Sequence, residues 1–119
     1  MNILVVDDSR TMRDLVSREL RKEGYDVETA EDGLDALEKI RCFPPAVIIT
    51  DLNMPRMDGL ALTKALRAQS DTKYVPIIFL TTESGEDLRR AARDAGATGW
   101  IVKPFEGTKL LAAVRRVSS

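Results

Sequence analysis

The chain has 119 residues, 44% hydrophobic and 31% charged, with a formal net charge of −1, which suits one globular domain with an ordinary core and no overall pull toward nucleic acid. One cysteine, Cys42, and no histidine exclude intrachain disulfides, His/Cys metal centres and any acid–base scheme built on imidazole. Any metal must then be a hard cation held by oxygen. No apolar run approaches the roughly 20 residues of a membrane span, and the N-terminus lacks the basic start of a signal peptide, so a cytoplasmic protein without membrane insertion is expected.

Taken in order, Asn2 to Val6 is a short apolar run closed by Asp7-Asp8 and reads as a buried strand. Ser9 offers an N-cap to a helix with Met12, Leu15, Val16 and Leu20 at helical spacing. Arg10, Arg13, Arg18, Arg21 and Lys22 face water on it, and Gly24 ends it. Asp26 to Thr29 is a shorter, partly polar strand of the edge type. After the turn Glu31-Asp32-Gly33, the stripe Leu34, Leu37, Ile40 predicts a helix to about Cys42, stopped by Pro44-Pro45. Cys42 itself is expected half buried and inert.

Ala46 to Thr50 is apolar or β-branched without alternation, as in a strand covered on both faces of a parallel sheet. Asp51 follows at its end, and Asn53, Pro55 and Asp58-Gly59 supply turn-formers before a helix bearing Leu60, Leu62, Ala65 and Leu66. Pro76 to Leu80 is the next buried strand, closed by Thr81-Thr82. Ser84 and Asp87 have capping-box spacing for a helix whose apolar side is Leu88, Ala91, Ala92 and Ala95. Arg89, Arg90 and Arg93 form its outer face, most simply a solvated one. Gly96 ends that helix, Thr98 to Val102 is the fifth strand, and Lys103-Pro104 follows. Leu110, Leu111, Val114 and Val117 mark a last helix that starts poorly at Glu106-Gly107.

Strands alternating with helices at regular intervals predict a doubly wound α/β domain with right-handed crossovers. In such a sheet the strands' carboxyl ends share one edge, where open α/β folds bind ligands. That edge would gather Asp7, Asp8, Asp51, Thr81 and Lys103. Crowded carboxylates raise one another's pKa unless a cation sits among them. Oxygen-only donors suit one Mg²⁺, with Asp7 and Asp8 holding it and a backbone carbonyl near Asn53 as a further ligand. A carboxylate beside Mg²⁺ and a lysine is equipped to accept a phosphoryl group covalently; Asp51, central in the sheet, is the expected nucleophile, with Thr81 donating to a phosphoryl oxygen.

The segments DDSRTMR, AEDGLDAL, TDLNMPRMDG, LTTE and GATGWIVKPF, in this order and spacing over essentially the whole chain, resemble response-regulator receiver domains. The nearest likeness is to the stand-alone, chemotaxis-type (CheY-like) members. The resemblance implies a flavodoxin-like sheet of order 2-1-3-4-5 with five helices, and one domain over residues 1–119 without an effector domain. It places the phosphoacceptor at Asp51, and the metal ligands at Asp7, Asp8, Asp51 and the Asn53 main-chain oxygen. Lys103 falls at the phosphate-pairing position and Thr81 at the switch hydroxyl. Trp100 falls at an aromatic position that turns inward, although by residue type alone it is a packing residue. The Lys103-Pro104 bond is expected cis, which proline permits at a small cost.

An output face on the fourth helix, fifth strand and fifth helix would carry Arg89, Arg90, Arg93, Trp100 and Lys109. The implied partners are a chemotaxis-type (CheA-like) histidine kinase as donor, the flagellar motor switch or another protein as target, and a phosphatase, with the chain itself monomeric and no enzyme in its own right. Two positions depart from the pattern: Thr82 adds bulk near Asp51, and Glu106 stands where a threonine cap is common. Rival readings are a receiver in a non-motor phosphorelay, the receiver part of a DNA-binding regulator, and a small Mg²⁺-dependent aspartyl-phosphate phosphatase. The last lacks a second acid at Asn53.

Overall fold

In the computed structural model, which describes residues 1–118, ten elements alternate along the chain: β1 (Asn2–Val6), α1 (Arg10–Lys22), β2 (Asp26–Ala30), α2 (Gly33–Ile40), β3 (Val47–Thr50), α3 (Gly59–Arg67), β4 (Ile77–Thr81), α4 (Glu86–Ala95), β5 (Gly99–Val102) and α5 (Gly107–Ser118). The strands form one parallel sheet in the order β2-β1-β3-β4-β5. This is the flavodoxin-like arrangement, with its topological switch between β1 and β3.

The unbroken apolar runs of β1, β3 and β4 follow from burial on both faces. Ile3, Val5, Val47, Ile49, Ile78 and Leu80 point to the side covered by Val16 and Leu20 of α1 and Leu110, Leu111 and Val114 of α5. Leu4, Val6, Ile48, Ile77 and Phe79, one residue out of phase, meet Ala36 of α2, Leu62 and Leu66 of α3 and Ala92 of α4. Successive side chains on opposite faces thus serve two cores, one on each side of the sheet. No helix among the described residues is long and apolar enough to cross a membrane.

Local signals set most boundaries. Ser9 caps α1 by accepting from the Met12 N–H, and Asp32 and Asp58 cap α2 and α3 through Asp35 and Ala61. Gly24 (φ +87°) and Gly96 (φ +114°) take the left-handed conformation that closes α1 and α4. The expected Ser84–Asp87 box does not form: the N-cap of α4 is Gly85, with no side-chain cap bond, and Glu86 and Asp87 serve its first turn as charges. The expected apolar stripes are also too wide. Leu15 and Leu34 are about two-fifths exposed at 41% and 42%, and Ala91 faces water, because each helix lays only a narrow face on the sheet. α2 stops at Ile40, so Cys42 is exposed rather than half buried.

Candidate functional site

The site is assembled by main chain first. Asp7 N–H donates to the Ala30 carbonyl (3.0 Å), Asp51 N–H to Val6 (2.9 Å) and Lys103 N–H to Thr81 (2.8 Å). Each residue is thus one step past its strand and still held by the neighbouring strand. Gly59 closes the loop after β3 by donating to the Leu52 carbonyl at 2.8 Å. A Cβ there would run into the Asp51 carbonyl and the Phe79 ring, so glycine is required by close approach, not by its dihedral angle.

Lys103 Nζ lies 2.8 Å from Asp7 Oδ2 and 3.1 Å from Asp51 Oδ2. The other oxygens are occupied by main chain: Asp7 Oδ1 accepts from Ser9 N–H at 2.9 Å and Asp51 Oδ1 from Leu52 N–H at 2.7 Å. Asp8 is exposed and its carboxylate has no partner among the described residues. Carboxylate oxygens of Asp7, Asp8 and Asp51 lie within 4.8 Å of one another. Burial pushes the Asp7 carboxyl above its ordinary value even though Lys103 and the Ser9 N–H oppose it, and the Asp51 charge adds to the rise. Burial also works against the charged form of Lys103, but its bonds to Asp7 and Asp51 leave it raised. A single ammonium is divided between two acids.

Three carboxylates against that one ammonium leave a surplus of two negative charges. No main-chain N–H donates to the Asn53 carbonyl among the described residues. Oxygen donors, surplus negative charge and an unpartnered outer carboxylate fit a hard divalent cation such as Mg²⁺.

Thr81 is fully buried at the tip of β4; its Oγ accepts from the Glu83 N–H at 3.4 Å and makes no bond to the acids. Asn53 is exposed, and its amide donates to Glu83 Oε1 at 3.1 Å. Trp100 is half buried, stacked on Phe79 with ring centres 5.5 Å apart, and its indole N–H donates to the Glu83 carbonyl at 3.1 Å. The Lys103-Pro104 bond is cis. The basic residues do not form one group. Arg89 and Arg93 line a cleft of about 300 Å³ with Trp100. Arg90 turns to Asp87 (3.9 Å), and Lys109, on α5, to Glu106 (3.7 Å).

Some participants escaped the sequence reading. Arg13, expected in water, is half buried and donates to the Asp7 carbonyl at 2.8 Å. Arg56 takes both oxygens of buried Asp32, at 2.7 and 3.0 Å. Glu83 links Asn53, Thr81 and Trp100. Only the Asp32-Gly33 turn gave a hint, since a dense turn beside a strand end is a place where loops meet.

Comparison with known proteins identifies the family. The family model for the response regulator receiver domain matches residues 3–115. The response regulator MprA of Mycobacterium avium is 43% identical over 115 residues, covering 97% of this chain and 50% of that protein. The chain spans about half the length of the curated relatives it matches. The structure of chemotaxis protein CheY4 of Vibrio cholerae superposes with a TM-score of 0.93 at 46% identity, covering 98% of this chain and 97% of that one. The signal receiver domain of a histidine kinase from Syntrophus aciditrophicus gives 0.90 at 33% identity, covering 98% and 89%. The chain therefore belongs to the response regulator receiver domain family.

Proposed function

We propose that this domain is a phosphorylation switch in which Asp51 is the phosphoacceptor. The observation that carries the reading is Lys103 lying between Asp7 and Asp51, beside a carboxylate cluster with negative charge to spare. An Asp51 carboxylate oxygen attacks the phosphorus of a phosphohistidine on a histidine kinase. The new O–P bond forms as the P–N bond breaks, and the leaving imidazole takes up a proton. Lys103 passes from the Asp51 carboxylate to an oxygen of the phosphoryl group, and the Thr81 hydroxyl, whose proton is uncommitted, donates to another. Asp7, Asp8, Asp51 and the Asn53 carbonyl would hold Mg²⁺, which when bound offsets the charge of the transferred group.

Phosphorylation adds roughly −1.5 to −2 charge. Glu83 joins the Thr81 side of the site to Trp100, so a shift of Thr81 is felt at the α4–β5 cleft. Arg89 and Arg93 border that cleft and Lys109 lies on α5, giving an output face for a protein partner. The 46% identity and TM-score of 0.93 to chemotaxis protein CheY4 favour a receiver acting in chemotaxis, with the flagellar motor switch as its target. The twofold length of the MprA relatives favours the alternative, a receiver within a longer regulator or another phosphorelay. Binding to purified motor switch protein with and without a phosphoryl mimic separates the two. A phosphatase is disfavoured because Asn53, in place of a second acid, spends its amide on Glu83.

Intact-protein mass spectrometry after incubation with Mg²⁺ and either acetyl phosphate or a kinase tests the phosphoacceptor. One hydroxylamine-labile phosphate is expected, absent in Asp51→Asn. Labelling that survives that substitution, or multiple turnover of a phosphate monoester, would overturn the reading.

A further inference from the structure

The loop from Asp51 to Asp58 has two anchors. At its near end Leu52 is buried and its carbonyl takes the Gly59 N–H. At its far end Met57 accepts from Gly33 N–H at 3.0 Å, and the Met57 N–H turns back to the Pro55 carbonyl at 2.7 Å. That three-residue bond is centred on Arg56 at φ +66°, the rare and strained hand of γ-turn. A non-glycine residue in this conformation is held there by its surroundings. A glycine would sit there without strain.

What holds it is the Arg56 side chain, which reaches across to α2 and takes both oxygens of Asp32. Asp32 is 2% exposed and caps α2 through Asp35 N–H at 2.8 Å. A Cβ on Gly33 would come within 2.8 Å of the Met57 carbonyl, so the two turns are in direct contact. Between the anchors, Asn53 and Met54 have no main-chain hydrogen bond among the described residues. The Asn53 main chain is therefore placed by the two anchors, and only its side-chain amide, on Glu83, is tied elsewhere.

We infer that Arg56 is a positioning residue for the cation site: its bidentate clasp on Asp32 fixes the loop so that the Asn53 carbonyl is presented to the metal with Asp7, Asp8 and Asp51. This rests on the reading of those groups as Mg²⁺ ligands. Main-chain ligands have no rotamers to adjust, so their placement is inherited entirely from the loop's anchors. The strained turn at Arg56 is then part of the site and not an accident of loop closure.

Calorimetric titration with Mg²⁺, together with amide hydrogen exchange of the metal-free protein, tests this on Arg56→Gly, Arg56→Lys, Asp32→Ser and the Arg56→Gly/Asp32→Ser double variant. Asp32→Ser keeps a cap oxygen on α2 while removing the clasp. Arg56→Gly should weaken Mg²⁺ binding about tenfold, the scale seen when groups that orient metal ligands are lost. Amide exchange at Gly33 and Met57, whose N–H groups are bonded at the far anchor, should rise without metal. Asp32→Ser should lose as much, and the double variant no more than either, as expected of two halves of one contact. Arg56→Lys, with one point contact in place of two, should fall between. Binding by Arg56→Gly and Asp32→Ser within about twofold of the parent would overturn the inference. Asp8→Asn is the separate control: it should lose Mg²⁺ with loop exchange unchanged. Equal binding by Asp8→Asn and the parent would sink the metal assignment itself, and the inference with it.

Discussion

Asp7 and Asp32 are the same residue type, buried to 4% and 2% exposure, each with a cation at hydrogen-bond distance and a main-chain N–H on one oxygen. Their carboxyls nevertheless shift in opposite directions. Arg56 holds the Asp32 carboxyl below the ordinary value, outweighing burial, with help from the first N–H groups of α2. Around Asp7 burial dominates, and Lys103 must also serve Asp51. Asp32 lies shallowly under one exposed arginine and has no acidic rival within its pair. The difference separates a finished contact from an unfinished one. Asp32 is saturated and structural, whereas the edge around Asp7 carries charge that the protein alone does not neutralise.

Removing Lys103 should have the largest effect, because it takes away the ammonium that bonds both Asp7 and Asp51. Lys103→Met should destabilise the metal-free protein by about 3 kcal/mol in urea unfolding, the low end for breaking a buried pair. An unchanged midpoint would mean that the edge was already neutral. Next comes the cation: Mg²⁺ at a hundred times its dissociation constant should raise stability by about 2.7 kcal/mol. That gain should vanish in Asp8→Asn and persist in Asp32→Ser at sufficiently high Mg²⁺. Asp32→Ala should cost about 1 kcal/mol, the worth of an N-cap, with Asp32→Ser recovering most of it.

The smallest effect lies in the sign of the pH dependence. Asp7's folded pKa is above its ordinary 3.8, so its contribution to metal-free stability is greatest below 3.8 and is lost as pH rises through the raised value. Asp32's is below 3.8; its contribution is complete above 3.8 and is lost as pH falls through the depressed value. Urea midpoints should therefore show Asp7→Asn gaining on the parent as pH rises, and Asp32→Asn falling behind. Parallel pH profiles for the two variants would erase the distinction between the sites.

The sequence made the edge legible because four strands end in chemistry-bearing residues: Asp7 and Asp8, Asp51, Thr81 and Lys103. Parallel strands can only bring such ends together. The helices were legible as existing but not as oriented, since Leu15, Leu34 and Ala91 fit a helical period yet fall just outside the strip each helix lays on the sheet. The α4 start was misread because Ser84 and Asp87 have box spacing while Gly85 takes the cap position. The Arg56–Asp32 clasp was invisible for a different reason. Its partners are 24 positions apart, and only the descent of one loop onto the turn before α2 makes them neighbours.

The chain's one tryptophan sits where β4, its following loop and β5 meet, face to face with Phe79 and fastened to the Glu83 carbonyl. Its emission therefore belongs to a single known environment, with no second indole to blur it. A colour or intensity change on adding donor or ion would report displacement of that loop in real time, turning this protein into its own optical gauge.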